Sequence, residues 1–358
     1  MTDAAAASRP QGQQGYIPSL DGLRAISIII VFLAHAGVSR FIPGGFGVTV
    51  FFFLSGYLIT TLLCREIDRF GRVDFRGFYL RRALRILPPL TVVIAGSLIL
   101  RELNVVNGDT TPAVVASQLL FFYNYMLLYG DGETIHGLFI LWSLSVEEHY
   151  YFVFPFCVAF LRRSRHGVAV ALGFCFLILG WRALRYFVFG TPLIEIYYAT
   201  DTRIDSIVYG SVLALMEARG RWRVLPEGMW RWAVLGVAGA LLLASFLVRD
   251  EEFRATLRFT FQGLGLIPVF HYAVARPREF PFLLLNNAAM RLLGRYSYTL
   301  YLVHFVVLLS LQFNGWGRES HLLYVLMGAV ISIAIAAAIF ELVERPCARL
   351  RRRLEHKE

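Results

Sequence analysis

Three ionisable side chains stand in the first apolar run, SLDGLRAISIIIVFLAHAG, residues 19–37: Asp21, Arg24 and His35. Arg24 and His35 are eleven positions apart, with no other charge between them. On an ideal helix that spacing is three turns, about 20° from one face and roughly 16 Å along the axis. Asp21 lies one turn before Arg24. An ionisable group inside a membrane span costs about 2.5–3.5 kcal/mol on insertion scales, so it usually faces a cavity and acts there. The trio predicts a polar stripe leading into the membrane, with His35 deepest. Taken singly, Arg24 also reads as a span-end residue whose head snorkels to water. His35 alone also reads as a core histidine satisfied by one hydrogen bond.

A second pair, Glu147 and Glu148, interrupts the run LFILWSLSVEEHYYFVFP. Helix neighbours point about 100° apart, so at most one faces a given partner. A carboxylate beside a histidine holds its tautomer and supports general-base chemistry; the other reading is an ion pair with an arginine such as Arg24. In FYLRRALRILPPL, Arg82 and Arg85 are one turn apart with Arg81 beside them, a set suited to bidentate phosphate binding or to marking membrane topology. Arg203 and Asp205 in YATDTRIDSIVYG, the face Ser297–Tyr301–His304 in GRYSYTLYLVHF, and Glu341 and Glu344 in FELVERP complete the polar set, each also readable as a helix-end or interhelical contact. No Walker loop, GxSxG elbow, HExxH or dinucleotide-binding motif occurs, and no metal-ligand spacing is present. The four cysteines lie in or beside apolar runs and read as small buried hydrophobes.

The elements that must carry these residues are membrane helices. The 358 residues are 57% hydrophobic and 17% charged, against roughly 25% charged in soluble domains. Apolar runs fall at about 23–40, 46–64, 86–101, 138–161, 167–189, 204–217, 231–248, 257–275, 294–313 and 321–343, several near the ~20 residues a crossing needs. The fold class expected is therefore an all-α polytopic bundle of about ten transmembrane helices. Arginine clusters follow the second, fourth, sixth, eighth and last runs: Arg65 to Arg85, Arg162 to Arg165, Arg219 to Arg223, Arg276 to Arg291 and Arg349 to Arg353. Ten crossings with cytoplasmic termini put every cluster inside. The segment 113–129 must then not cross, and is expected to be re-entrant or interfacial on the outer side. The net charge of +10 follows from these loops, and nucleic-acid binding is excluded for want of a solvated basic domain. Residues 1–18 read as a disordered cytoplasmic tail without signal-peptide features, 19–346 as one membrane domain and 347–358 as a basic cytoplasmic tail.

In order along the chain, YIPSLDGLRAISIIIVFLAH, GGFGVTVFFFLSGYLIT, RGFYLRRALRILPPL, LWSLSVEEHYYFVFP, GRYSYTLYLVHF and ERP resemble the acyltransferase-3 family, the bacterial integral-membrane O-acyltransferases. The resemblance implies that the family's arginine–ten residues–histidine motif is Arg24 and His35, with His35 essential for acyl transfer. It implies that Arg82 and Arg85 face the phosphates of an acyl-CoA in the cytoplasm. Two positions depart from the family pattern: Thr49 stands where members often carry Asp, and His149 where Gln is common. An extracellular SGNH-type domain, found in some members, is expected to be missing.

The expected activity moves an acyl group, most simply acetyl, from cytoplasmic acyl-CoA to a hydroxyl of an exported glycan or glycolipid, or of a macrolide-type metabolite. His35 serves as base or transient acyl carrier, with Glu147 or Glu148 orienting it. Acyl-CoA is the co-substrate, no permanently bound cofactor is expected, and the partners are the glycan acceptor and the lipid bilayer of the bacterial inner membrane. A proton-coupled transporter of a lipid-linked sugar or acyl carrier uses the same residue types; the absence of an internal hydropathy repeat counts against it. The segment 113–137 and the loops 190–203 and 249–256 are expected to line the acceptor site.

Overall fold

A run of apolar side chains in lipid has no water to satisfy its backbone, so every segment must close its own hydrogen bonds as helix. The computed structural model describes residues 17–39, 43–220, 225–317 and 319–355, and all its regular elements are helical. The tail up to residue 16, Arg221, Arg223 and residues 356–358 lie outside the described residues. The helices are α1 (Pro18–Leu33), α2 (Gly44–Phe70), α3 (Phe75–Glu102), α4 (Pro112–Leu119), α5 (Tyr123–Tyr129), α6 (Trp142–Arg163), α7 (Gly167–Phe187) and α8 (Leu193–Tyr198). They continue with α9 (Thr200–Arg203), α10 (Asp205–Ala218), α11 (Trp230–Leu247), α12 (Glu251–Ala255), α13 (Leu257–Ala275), α14 (Ala288–Phe313), α15 (His321–Ile339) and α16 (Arg345–Glu355).

Local chemistry sets several ends. Asp74 accepts from the Gly77 amide to start α3, Asn287 accepts from Met290 to start α14, and Ser320 accepts from Leu323 to start α15. Gly71 ends α2 in the left-handed region at φ 73°, where glycine carries no Cβ penalty. α1 runs into a π turn over Ala34–Val38 that holds His35; such turns recur where a helix presents a functional side chain.

Seven helices among the described residues (α1, α2, α3, α7, α11, α14 and α15) are long and apolar enough to cross a membrane. α6, α10 and α13 are not, and the reason is position. α10 packs on α2, α7, α13 and α6, and 12 of its 14 residues are buried, so it meets protein rather than lipid and carries Asp205 and Glu217. α2 and α10 approach closely because both offer glycine: a Cβ on Gly56 would fall 1.8 Å from Ile207 O, and one on Gly210 1.9 Å from Phe53 O. α6 is two-faced, with Phe152, Phe156 and Phe160 exposed one turn apart and its carboxylates turned inward. The segment 113–129 breaks at Phe121 (φ 62°) into α4 and α5, of 8 and 7 residues. At ~1.5 Å per residue neither approaches the ~30 Å hydrocarbon thickness, as expected of a segment that does not cross.

The arginine-rich loops share one end of the bundle. Arg162 pairs with Asp68 at 3.0 Å, and Arg219 donates to Leu161 O at 2.7 Å. Ser19 at the start of α1 donates to Ala273 O near the end of α13. At the opposite end α5, α8, α9 and α12 pack together beneath the loops.

Candidate active site

At the arginine-rich end α1, α2, α3, α6 and α14 enclose a cavity of about 270 Å³ lined by Arg24, Arg65, Arg82, Arg85, Glu147, Tyr151, Ser297 and Tyr301, among others. Arg24 is held by Asp21 at 3.0 Å. Arg82 lies flat over the Tyr151 ring, its Cζ 3.6 Å from the centroid, and its Nε is buried without a hydrogen-bond partner. Arg85 is exposed, and no ion pair engages it among the described residues. Arg82 and Arg85 also line a larger basin of about 1170 Å³, with Arg69, Arg72, Arg76, Arg81 and Arg351. They are thus the wall shared by an outer basic basin and an inner polar cavity. Arg81 does not enter the inner cavity; it pairs with Glu66 and Asp74, each at 3.6 Å.

One face of α6 explains the inner wall. Ser143, Glu147 and Tyr151 recur every four residues and therefore stack on one side. Glu147 accepts from Ser55 Oγ at 3.0 Å and from Tyr151 OH at 2.9 Å. Glu148, 100° around the helix, is not a lining residue of the cavity, and its Oε1 has no hydrogen-bond partner. That resolves which carboxylate faces the cavity. It also corrects the partner expected for His35.

His35 Nδ1 lies 2.9 Å from Nε2 of His304, not beside either glutamate. The reason is helix direction. α6 and α14 are antiparallel and meet where Ser143 Oγ lies 2.6 Å from Tyr301 OH. Glu147 is one turn from that contact toward the arginine end, and His304 nearly one turn beyond Tyr301 the other way. The two are about 10 Å apart in height. Within α14, His304 Nδ1 faces the carbonyls of Tyr301 at 2.8 Å and Leu300 at 3.1 Å. A carbonyl only accepts, so Nδ1 carries the hydrogen. Nε2 of the neutral ring then holds a lone pair and accepts from His35 Nδ1–H, which leaves His35 Nε2 bare and basic. The His35 ring stacks on Phe305, centroids 4.3 Å apart, and meets Phe139 edge-on at 6.4 Å.

Other predicted residues serve elsewhere. Ser297 lines the cavity; Glu344 accepts from Thr299 Oγ1 at the far side of α14 and is not a lining residue. Arg203 and Asp205 are fully buried. Asp205 pairs with Arg182 at 2.7 Å, and Arg182 also donates to Thr202 O, Thr256 O and Thr260 Oγ1. His149 engages Thr200 Oγ1 at 2.7 Å and plays no part around His35. Sequence reasoning passed over Ser55, Arg65, Ser143, Tyr151 and Arg182. The four-residue spacing of Ser143, Glu147 and Tyr151 was the available signal for two of them; nothing in the local sequence marks the others. Among the described residues, no group of His, Cys, Asp and Glu is placed to hold a metal.

The family profile described as "Acyltransferase domain" (acyltransferase-3) matches residues 17–341. A provisionally named O-acetyltransferase of Staphylococcus aureus (strain COL) is 28% identical over 313 residues, 82% of this chain and 51% of its own length. The O-acetyltransferase OatA of Staphylococcus aureus (strain NCTC 8325 / PS 47) is 26% identical over 347 residues, 92% of this chain and 57% of its own. The chain spans about half the length of the curated relatives it matches.

Proposed function

The chain belongs to the acyltransferase-3 family, and from that premise we propose that it is a membrane O-acyltransferase, moving an acetyl group from acyl-CoA at its arginine-rich end to a hydroxyl presented from the opposite end. The observation that carries the reading is the arginine-lined cavity that also holds Glu147, Ser297 and Tyr301, with the His304–His35 pair about one turn beyond Tyr301 on α14. Arginine clusters gathered at one end of the bundle support the direction, with that end in the cytoplasm, because basic loops stay inside.

Arg82 and Arg85, at the wall of basin and cavity, suit the phosphates of the donor, with Arg65 and Arg24 also lining the cavity. Four guanidinium groups against the Glu147 carboxylate leave the cavity net positive. The thioester then reaches toward His35, roughly 16 Å along α1 from Arg24. His35 Nε2 takes the proton of the acceptor hydroxyl as its oxygen attacks the thioester carbonyl. The C–S bond breaks, and the imidazolium returns that proton to the departing thiolate, releasing CoA-SH and the ester. His304 holds the ring and accepts from Nδ1–H throughout; it is a positioning residue. The acceptor proposed is a cell-surface or exported glycan or glycolipid.

The test uses protein in lipid nanodiscs with radiolabelled acetyl-CoA. Wild type binds it and releases CoA, His35→Ala binds without turnover, and Arg82→Ala/Arg85→Ala fails to bind. General-base catalysis contributes about 10²–10⁴ in rate, so near-wild-type release by His35→Ala rejects the assigned role. A wild type that neither binds nor deacylates acetyl-CoA rejects the donor assignment and favours transport of a carrier.

A further inference from the structure

Among the described residues, two arginines at the end remote from the donor basin have no anionic partner. Arg203 is 0% exposed, and its Nε and Nη1 are buried with no hydrogen-bond partner. Among the described residues its one hydrogen bond is Nη2 to Thr49 Oγ1 at 3.3 Å. The Thr49 hydroxyl itself donates to Gly45 O in the first turn of α2. Arg203 Cζ lies 3.7 Å from the centroid of Phe259, and that of Arg258 4.7 Å from the same ring. Tyr197 lies within 5.0 Å of the first guanidinium and 5.9 Å of the second. Arg258 is half-buried, its Nε has no hydrogen-bond partner, and no ion pair engages it among the described residues. Asp205, two residues from Arg203, is taken by Arg182 at 2.7 Å. Arg182, Arg203 and Arg258 against Asp205 leave two positive charges uncompensated in a largely buried setting.

Burying an unpaired charge is costly, and ring faces offset only part of that cost. Two guanidinium groups converging on one aromatic pair, with donors left over, match a planar or tetrahedral oxyanion. Aromatic rings beside them match the apolar face of a sugar. We infer that Arg203 and Arg258, with Tyr197, Phe259 and the first turn of α2, bind an oxyanion on the acceptor: a sugar carboxylate or a phosphate of a glycan carrier. Thr49 is the residue that leaves the site free, because a carboxylate there would neutralise Arg203 internally. This rests on the acyl-transfer reading for the word acceptor, and on the geometry alone for the anion.

The experiment measures binding of glucuronate, glucose 1-phosphate and neutral glucose to nanodisc-embedded protein, in chloride-free buffer, by calorimetry and thermal shift. At least one anion binds and raises the melting temperature, while glucose does neither. Preference for glucuronate identifies a sugar carboxylate, and preference for glucose 1-phosphate a phosphate. Hydrogen bonds to charged groups contribute roughly 10- to 100-fold each, so Arg258→Gln weakens the anion by at least about tenfold. Thr49→Asp abolishes anion binding and raises the melting temperature without ligand, which shows that the variant has folded. Equal binding of glucose, no binding of either anion, or unchanged anion binding in Thr49→Asp overturns the site. Acetyl-CoA binding is measured on the same wild-type preparation. Anion binding without acetyl-CoA binding keeps the site and rejects the donor assignment on which the acyl-transfer reading rests; acetyl-CoA binding without anion binding does the reverse.

Discussion

Removing the acceptor atom of His304 should disable His35 without touching its ring. The hydrogen bond at 2.9 Å between His35 Nδ1 and His304 Nε2 is what selects the tautomer with a bare Nε2. His304→Phe keeps a ring of similar size and removes that acceptor. Losing a hydrogen bond that leaves a buried donor unsatisfied costs about 1–3 kcal/mol. If the whole of that cost falls on the population of the reactive tautomer, turnover drops roughly 5- to 150-fold. Stacking of His35 on Phe305 survives and keeps the ring near its plane, so the loss stays below that of His35→Ala. His304→Gln restores an acceptor oxygen and recovers part of the rate. KM for acetyl-CoA stays put in both, because His304 is not a lining residue of the arginine cavity. The assay is CoA release together with ¹⁵N spectroscopy of His35, which reads Nδ1–H in wild type and a mixture in His304→Phe. Wild-type kcat in His304→Phe, or an Nε2–H tautomer in the wild-type spectrum, refutes the reasoning.

Arg85→Ala, free of structural ion pairs, raises the Kd for acetyl-CoA by about tenfold or more with little change in melting temperature, checked by calorimetry and thermal scanning. Glu147→Gln removes the cavity's negative charge and tightens donor binding several-fold, with a steeper dependence on salt; weaker binding would show that the carboxylate holds the arginines in place rather than opposing the donor. Arg182→Ala leaves Asp205 buried and unpaired and destabilises by about 3–5 kcal/mol, whereas Arg162→Ala, at a partly exposed pair, costs about 1 kcal/mol or less; denaturation midpoints decide. Gly56→Leu drives a side chain into Ile207 O, and the expected result is loss of folded protein in detergent size-exclusion profiles.

Helical class, the inward carboxylates and the arginine pair were legible because each violates the hydropathy of its surroundings, and burial of charge is rare enough to carry meaning. The short α10 was read as a span because 204–217 is an apolar run; composition alone cannot show that it is shielded by α2, α7 and α13. The pairing of His35 with His304 was not legible. Both residues stood out singly, but their contact spans 269 positions and depends on how α1 and α14 are staggered. Glu147 or Glu148 was the expected partner, because helix direction and height have no trace in local spacing. Arg182 was missed because a lone arginine in an apolar run resembles any other, until four acceptors converge on it from three other segments.

The rings around His35 bear on energetics of a different kind. Phe139 and Phe305 close over the histidine pair, with Phe32 against His304, and none of the three lines the arginine cavity. An aqueous vestibule that stops at an apolar collar concentrates the membrane potential across the collar. A full crossing is worth about 2.3 kcal/mol per elementary charge per 100 mV, so a proton passed at His35 moves through part of that drop. If the proposed transfer takes its proton at His35, turnover in sealed vesicles carries a voltage dependence that turnover in nanodiscs does not.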